Sequence, residues 1–225
     1  MELLYIVKAL YNTLYFNFKA FPFKEAVRFP IVCGATICFG KIEKSKIHFR
    51  NGIAFKRMTV GMSEGSFRSG HKQRTYIHIG KNANLIIADK LDIPCGSVLN
   101  VNGCVEFGKG FMPNCFLTIS CENHISIGSY CNIGWNVTII DGDGHPLCCL
   151  QSPYKQINPS RPIMIGNNCW IAAHVTIMKG VSLSDHTTIP YGSIITKSCE
   201  IPNVIYGGNP NTIIKGNIAR QDFYK

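Results

Sequence analysis

The sequence predicts an all-β chain, a parallel β-solenoid of three-sided coils built from six-residue repeats, with a short helical segment before it. Three observations carry this. Aliphatic residues recur every six positions at Ile165, Ile171, Ile177, Leu183, Ile189 and Ile195. A second compact residue stands four places after each of the first five, at Cys169, Val175, Val181, Thr187 and Ser193. And 225 residues at 46% hydrophobic suffice to bury one sizeable core with a modest N-terminal addition.

A helix would repeat apolar residues at three and four, and a half-buried strand at two; a strict six fits neither. If each hexapeptide is a short strand plus a corner, three make one triangular coil of about 18 residues. Residues one coil apart then stack, so Ile165 lies against Leu183, Ile171 against Ile189 and Ile177 against Ile195, while parallel ladders satisfy the backbone. One coil alone leaves its ladder unpaired, so several are needed.

In chain order, residues 1–32 form the N-terminal segment. Its first 23 residues are rich in Leu, Tyr and Phe with interspersed lysines, and Pro22 and Pro30 close it. Two readings stand: a helix packed on the body, or an interfacial helix at a membrane surface with Lys8 and Lys19 near anionic lipid. No run of 18 apolar residues is free of charge, so a membrane span is not expected. Residues 33–217 form the solenoid. Ile79-Gly80, Phe107-Gly108 and Ile119 mark its weaker coils; Ile127, Ile133 and Ile139, with Cys131 and Val137, run in the later phase. Segments 51–76 and 140–162 break the pattern with Gly, Pro, Ser and charge and read as loops. An insertion of the second one's length inside a solenoid is usually functional or disordered. Residues 218–225 are a tail.

The repeats resemble the hexapeptide-repeat acyltransferases, in particular galactoside and maltose O-acetyltransferases and the acetyltransferases of surface-polysaccharide synthesis. The resemblance covers about 105–217 and rests on Ile163-Met-Ile-Gly-Asn-Asn-Cys-Trp-Ile-Ala-Ala-His-Val-Thr-Ile-Met-Lys-Gly-Val, Gly192-Ser-Ile-Ile-Thr-Lys and Gly208-Asn-Pro. It implies a left-handed parallel β-helix, against the usual right-handed crossover preference. It also implies a homotrimer with active sites between adjacent prisms, and direct transfer of an acetyl group from acetyl-CoA to a sugar hydroxyl. His145 and Asn114 would come from one subunit and part of the CoA channel from its neighbour.

By the same resemblance, Trp135-Asn-Val-Thr-Ile-Ile-Asp-Gly-Asp-Gly-His-Pro places His145 where the family has its catalytic histidine. An imidazole of pKa near 6.5 can take the proton of a sugar hydroxyl as it attacks a thioester, then return it to the CoA thiolate. Asp141 and Asp143 are candidates to hold the ring tautomer, as a carboxylate does in hydrolase triads; an Asp- and Gly-rich surface turn is the plainer reading. Asn114 aligns with an asparagine that holds the acceptor and the developing oxyanion, and Trp170 with a tryptophan near acceptor and pantetheine. Ala173, Tyr191, Thr196, Lys197 and Lys215 are the expected CoA-binding set. The sequence departs from the family at Ile189-Pro190-Tyr191-Gly192-Ser193, where Ile-Gly-Ala-Gly-Ser is usual. Proline removes an amide donor and tyrosine adds bulk beside the pantetheine channel.

The formal charge of +10, from 23 Lys+Arg against 13 Asp+Glu, favours anionic partners without choosing among them. Nucleic acid is not expected, since no helix-turn-helix or aromatic-plus-basic module is present. The 11 cysteines include no CxxC and lie scattered through apolar positions, which fits free thiols in the cytoplasm. No metal is expected. Zinc carbonic anhydrases on this scaffold need three converging histidines, whereas His174 and His186 fall on different faces. The acceptor is expected to be a sugar or lipid-linked saccharide of capsule, O-antigen or exopolysaccharide assembly. An amino-sugar N-acetyltransferase and a non-catalytic solenoid remain the alternatives.

Overall fold

The computed structural model describes residues 2–64 and 73–220. It is mostly β, with two helices and parallel sheets in which successive strands fall on three faces in turn. The first face holds Ile31–Cys33, Met58–Val60 and Leu91–Ile93, followed by Met112–Pro113, Asn132–Ile133, Trp170–Ile171, Thr188–Ile189 and Ile205–Gly207. The second face runs from Ile37–Ile42 to Ile194–Ile195, and the third from Ile47–Phe49 to Ser182–Leu183. Thr212–Lys215 closes the first face as an antiparallel strand on Ile205–Gly207.

The register is the stacking that the repeat demands. Ile165 pairs with Leu183, Ile171 with Ile189 and Ile177 with Ile195, and all six are buried. On the second face one column runs without a break through Ile77, Leu99, Ile119, Ile139, Ile177 and Ile195. Each such side chain contributes roughly 1.5–3 kcal/mol by leaving water. The compact partners Cys169, Val175, Val181, Thr187 and Ser193 are buried as well, because the corner leaves room inside for little more than a thiol or a hydroxyl.

The helix Glu2–Ala20 covers the open end of this stack. Its inner side buries Phe16 and Ala20, and its polar residues satisfy the unpaired edge of the first strand. Asn17 Nδ2 donates to the Ile31 carbonyl at 2.7 Å while its Oδ1 accepts from the Ile31 amide. Thr13 Oγ1 accepts from the Cys33 amide, and Asn12 Nδ2 donates to the Gly34 carbonyl. Its outer side leaves Leu3, Leu4, Ile6, Val7, Leu10 and Tyr11 exposed.

Two expectations are corrected. Segment 51–76 is not wholly a loop: Met58–Val60 is a strand paired to both Ile31–Cys33 and Leu91–Ile93, and Thr75 opens the next. Its polar flanks concealed a three-residue strand that needs only Met58 and Val60 turned inward. Residues 65–72 of that segment, and residues 221–225 of the expected tail, lie outside the described residues. Segment 140–162 contains an antiparallel pair, Cys148–Cys149 with Ser152–Gln156, so the insertion carries its own backbone bonding. Every cysteine stands as a free thiol.

Candidate functional site

Outward residues of the first face form two columns. Register aligns Met112, Asn132, Trp170, Thr188 and Ile205 in one. Two residues further along each strand lie Asn114, Gly134, Ala172 and Pro190, tied by the Asn114, Gly134 and Ala172 amides to the Ile133, Ile171 and Ile189 carbonyls. Because Gly134 and Ala172 are so small, the second column is a trough. A Cβ on Gly134 would collide with the backbone of Ala173. The result is a mostly apolar groove of about 500 Å³ in which Trp135, Trp170 and Tyr191 supply the large aromatic surfaces. The His174 ring stacks obliquely on Tyr191 with centroids 5.1 Å apart, and meets Trp135 edge to face.

Four of the expected site residues come together in this groove: Asn114, Trp170, Ala173 and Tyr191. Trp170 and Tyr191 are 44% and 65% exposed, so each has surface free to meet a ligand. Asn114 Nδ2 donates to the Ile133 carbonyl at 3.1 Å. Lys215 borders the far end, in register with the groove residue Ile205. Thr196 and Lys197 lie past the second-face strand Ile194–Ile195, outside the groove lining. Their amides both donate to Asn211 Oδ1, at 2.8 and 3.3 Å.

His145 is elsewhere. It is exposed on the insertion that leaves the second face after Ile140 and rejoins the third at Ile163, and it is not among the groove residues. The groove of one chain thus contains Asn114 and not His145. Asn114 follows the first-face strand Met112–Pro113, whereas His145 lies on the insertion that follows the second-face strand Thr138–Ile140.

The expected ring-orienting carboxylates are also corrected. Asp141 is fully buried, and its two oxygens accept the amides of Glu122 and Asn123 at 2.7 and 2.8 Å, with Cys121 Sγ 3.4 Å away. Asp143 pairs with Lys179 Nζ and accepts from Asn158 Nδ2 at 2.8 Å. The Lys179 ammonium and the Asn158 amide hold the Asp143 carboxyl below its ordinary range. Both aspartates are thus spent on the base of the insertion, and among the described residues neither bonds the imidazole.

Sequence reasoning missed the two groups that complete this staple. Asn158 Nδ2 also donates to the His145 carbonyl at 2.9 Å, and its Oδ1 accepts the Leu147 amide at 2.6 Å. Lys179 Nζ, mostly enclosed, donates as well to the Asn158 carbonyl. The one available signal was an otherwise unexplained lysine in the repeat Ile177-Met-Lys-Gly-Val.

No family model matches the chain. It is 38% identical over 120 residues to the galactoside O-acetyltransferase of Escherichia coli (strain K12), covering 53% of this chain and 58% of that protein. It is 33% identical over 104 residues to the polysialic acid O-acetyltransferase of Neisseria meningitidis, covering 45% and 47%. The chain thus spans about half the length of the curated relatives it matches. Among solved structures, a polysialic acid O-acetyltransferase superposes with a TM-score of 0.55 at 22% identity, covering 84% of this chain and 90% of that one, a likeness of fold.

Proposed function

We propose that the chain is an acetyl-CoA-dependent O-acetyltransferase acting on a sugar hydroxyl in capsule, O-antigen or exopolysaccharide assembly, working in the cytoplasm as a homotrimer of left-handed prisms. The observation that carries this reading is the coincidence of Asn114, Trp170, Ala173 and Tyr191 in one apolar groove. The similarity to galactoside and polysialic acid O-acetyltransferases supports the acyl chemistry and the saccharide acceptor.

The groove fits a slender apolar arm such as pantetheine. Its floor is Gly134 and Ala172, its walls are aromatic, and Pro190 offers it no amide. Trp170, Ala173 and Tyr191 would hold that arm, and Thr196, Lys197 and Lys215 would lie toward the phosphates, favoured by the net charge of +10. Acetyl-CoA, when bound, supplies the activated thioester. His145 of a neighbouring subunit accepts the proton of the attacking hydroxyl as general base and passes it to the leaving sulfur. Asn114 presents its amide where negative charge develops. The chain offers positioning and charge stabilisation rather than a nucleophile.

The test is release of free CoA from acetyl-CoA in the presence of neutral and acidic saccharides, for the parent and for His145→Ala. Loss of the base is expected to lower the rate by about 10²–10⁴-fold with the fold retained. Equal rates in the two proteins, or no release with any acceptor, overturn the reading.

The same reading places the enzyme on an anionic lipid surface, where lipid-linked saccharides lie. The outer side of the N-terminal helix presents apolar residues beside exposed Lys8, Lys19, Lys24 and Arg28. No described helix is long and apolar enough to cross a membrane. Deleting the helix is a poor test because Phe16 and Ala20 belong to the core. Replacing only the exposed Leu3, Ile6 and Leu10 by serine is expected to reduce sedimentation with phosphatidylglycerol vesicles by at least about tenfold. Unchanged sedimentation counts against the surface.

A further inference from the structure

The third face carries a side-chain group that acyl transfer does not use. Strands Cys104–Phe107 and His124–Ile127 pair in parallel with Cys104 opposite His124. Strand alternation puts Cys104 and Glu106 on the same outer surface, while Val105 and Phe107 turn into the core. The thiol, carboxylate and imidazole donor atoms all lie within 4.8 Å of one another.

Their spacing is compatible with a ligand set. His124 Nε2 stands 3.1 Å from Glu106 Oε1, close to the roughly 3.3 Å separating two ligands on a tetrahedral ion with bonds of about 2.0 Å. The outer shell is also in place. Asn84 Nδ2 lies 3.8 Å from Cys104 Sγ, and an Arg50 guanidinium nitrogen donates at 2.7 Å to Glu106 Oε2, leaving Oε1 turned toward the imidazole. Ligating groups held by such second partners keep their orientation before the ion arrives. Glu106 and His124 side chains are 27% and 31% exposed, so an ion has a path in and water has access to a fourth position.

We propose that Cys104, Glu106 and His124 bind one thiophilic divalent cation of the zinc class, with water as fourth ligand. A thiolate beside an imidazole selects Zn²⁺ or Co²⁺ over Mg²⁺ and Ca²⁺, which prefer all-oxygen sets. Binding sends the Cys104 thiol proton to solvent; the resulting thiolate and the Glu106 carboxylate offset the 2+ charge beside a neutral imidazole, with Arg50 still paired to Glu106 Oε2. On binding, the ring keeps its proton on Nδ1, and the contact of Nε2 with Glu106 gives way to a shared metal bond. The groove lies on the first face and this cluster on the third, so the ion ties two successive coils and takes no part in acyl transfer.

The test uses the full chain, stripped with a chelator and titrated with Co²⁺ alone. One equivalent is expected to produce a sulfur-to-cobalt charge-transfer band with tetrahedral d–d bands, and Zn²⁺ to displace it. Cys104→Ser is expected to lose the charge-transfer band, His124→Gln to bind at least about tenfold more weakly, and Asn84→Ala about tenfold more weakly. The exposed-thiol control Cys148→Ser should behave as the parent. These side chains face outward, and circular dichroism verifies that each variant folds. X-ray absorption of the Zn²⁺ form should show one sulfur among lighter ligands. A parent without the charge-transfer band, a Cys104→Ser variant that keeps it, or a shell of nitrogen and oxygen only overturns the site. CoA release is read separately, so failure here and failure of the acyltransferase reading are distinguishable.

Discussion

An aspartate two residues before a histidine invites a triad reading, yet Asp143 spends its carboxylate on Lys179 and Asn158. Its influence on His145 runs through the main chain, because Asn158 grips the Asp143 side chain and the His145 carbonyl with the same amide group. Lys179 and Asn158 lower the Asp143 pKa. A carboxyl whose folded pKa is depressed contributes stability above its unfolded pKa, and that contribution fades as pH falls through the folded value. The staple is therefore expected to hold at neutral pH, to persist below the ordinary carboxylate range near 3.9, and to release in stronger acid. Hydrogen exchange of the amides of Leu147 and Ile157 reads this directly. Asp143→Asn should lower their protection factors at neutral pH to values the parent shows only in acid. An unchanged exchange rate in the variant would show that the insertion is held by other contacts.

At the scale of the element, strand alternation makes neighbouring residues energetically unlike. Ile165 is buried between Ile127 and Leu183, while the adjacent Met164 is 41% exposed. Ile165→Ala is expected to cost about 2–5 kcal/mol in urea unfolding, and Met164→Ala no more than about 0.5–1 kcal/mol. The same contrast shows what the sequence made legible. In the last coils Thr176 pairs with Ile194, a step of 18, so the repeat of six is visible by inspection. Earlier, Val98, Thr118 and Thr138 stack at steps of 20, because Asn102-Gly103 and Glu122-Asn123 add two residues at the corner between second and third faces. Two extra residues per coil suffice to blur a period of six, which is why only faint traces such as Phe107-Gly108 could be read there. The insertion bearing His145 grows from that same corner, and Asp141 at its root accepts the amides of Glu122 and Asn123 one coil below. The groove residues were legible through the motif around Trp170, whereas Asn158 and Lys179 were not. Their pairing depends on how the insertion folds back across 36 residues from Asp143 to Lys179.

For the whole molecule, the decisive geometry is that groove and histidine sit on different faces of one prism. The groove belongs to the first face, and the insertion joins the second to the third. In the proposed trimer, three-fold packing of prisms would set the insertion of one against the groove of the next, and the proposed site would be completed by the assembly. Sedimentation is expected to report three chains of 25.0 kDa each. A complementation experiment separates a shared site from one within a chain. His145→Ala removes the base, and Ala172→Trp fills the trough while leaving the base intact. Each alone should be inactive. In mixed trimers, a productive interface needs the Ala172→Trp chain to supply its histidine to the groove of the His145→Ala chain. Random assortment makes about one interface in four productive, so co-expression should restore about a quarter of parental CoA release. If mixed trimers, verified by native mass spectrometry, stay inactive, base and groove must belong to the same chain, and the insertion would have to reach around its own prism.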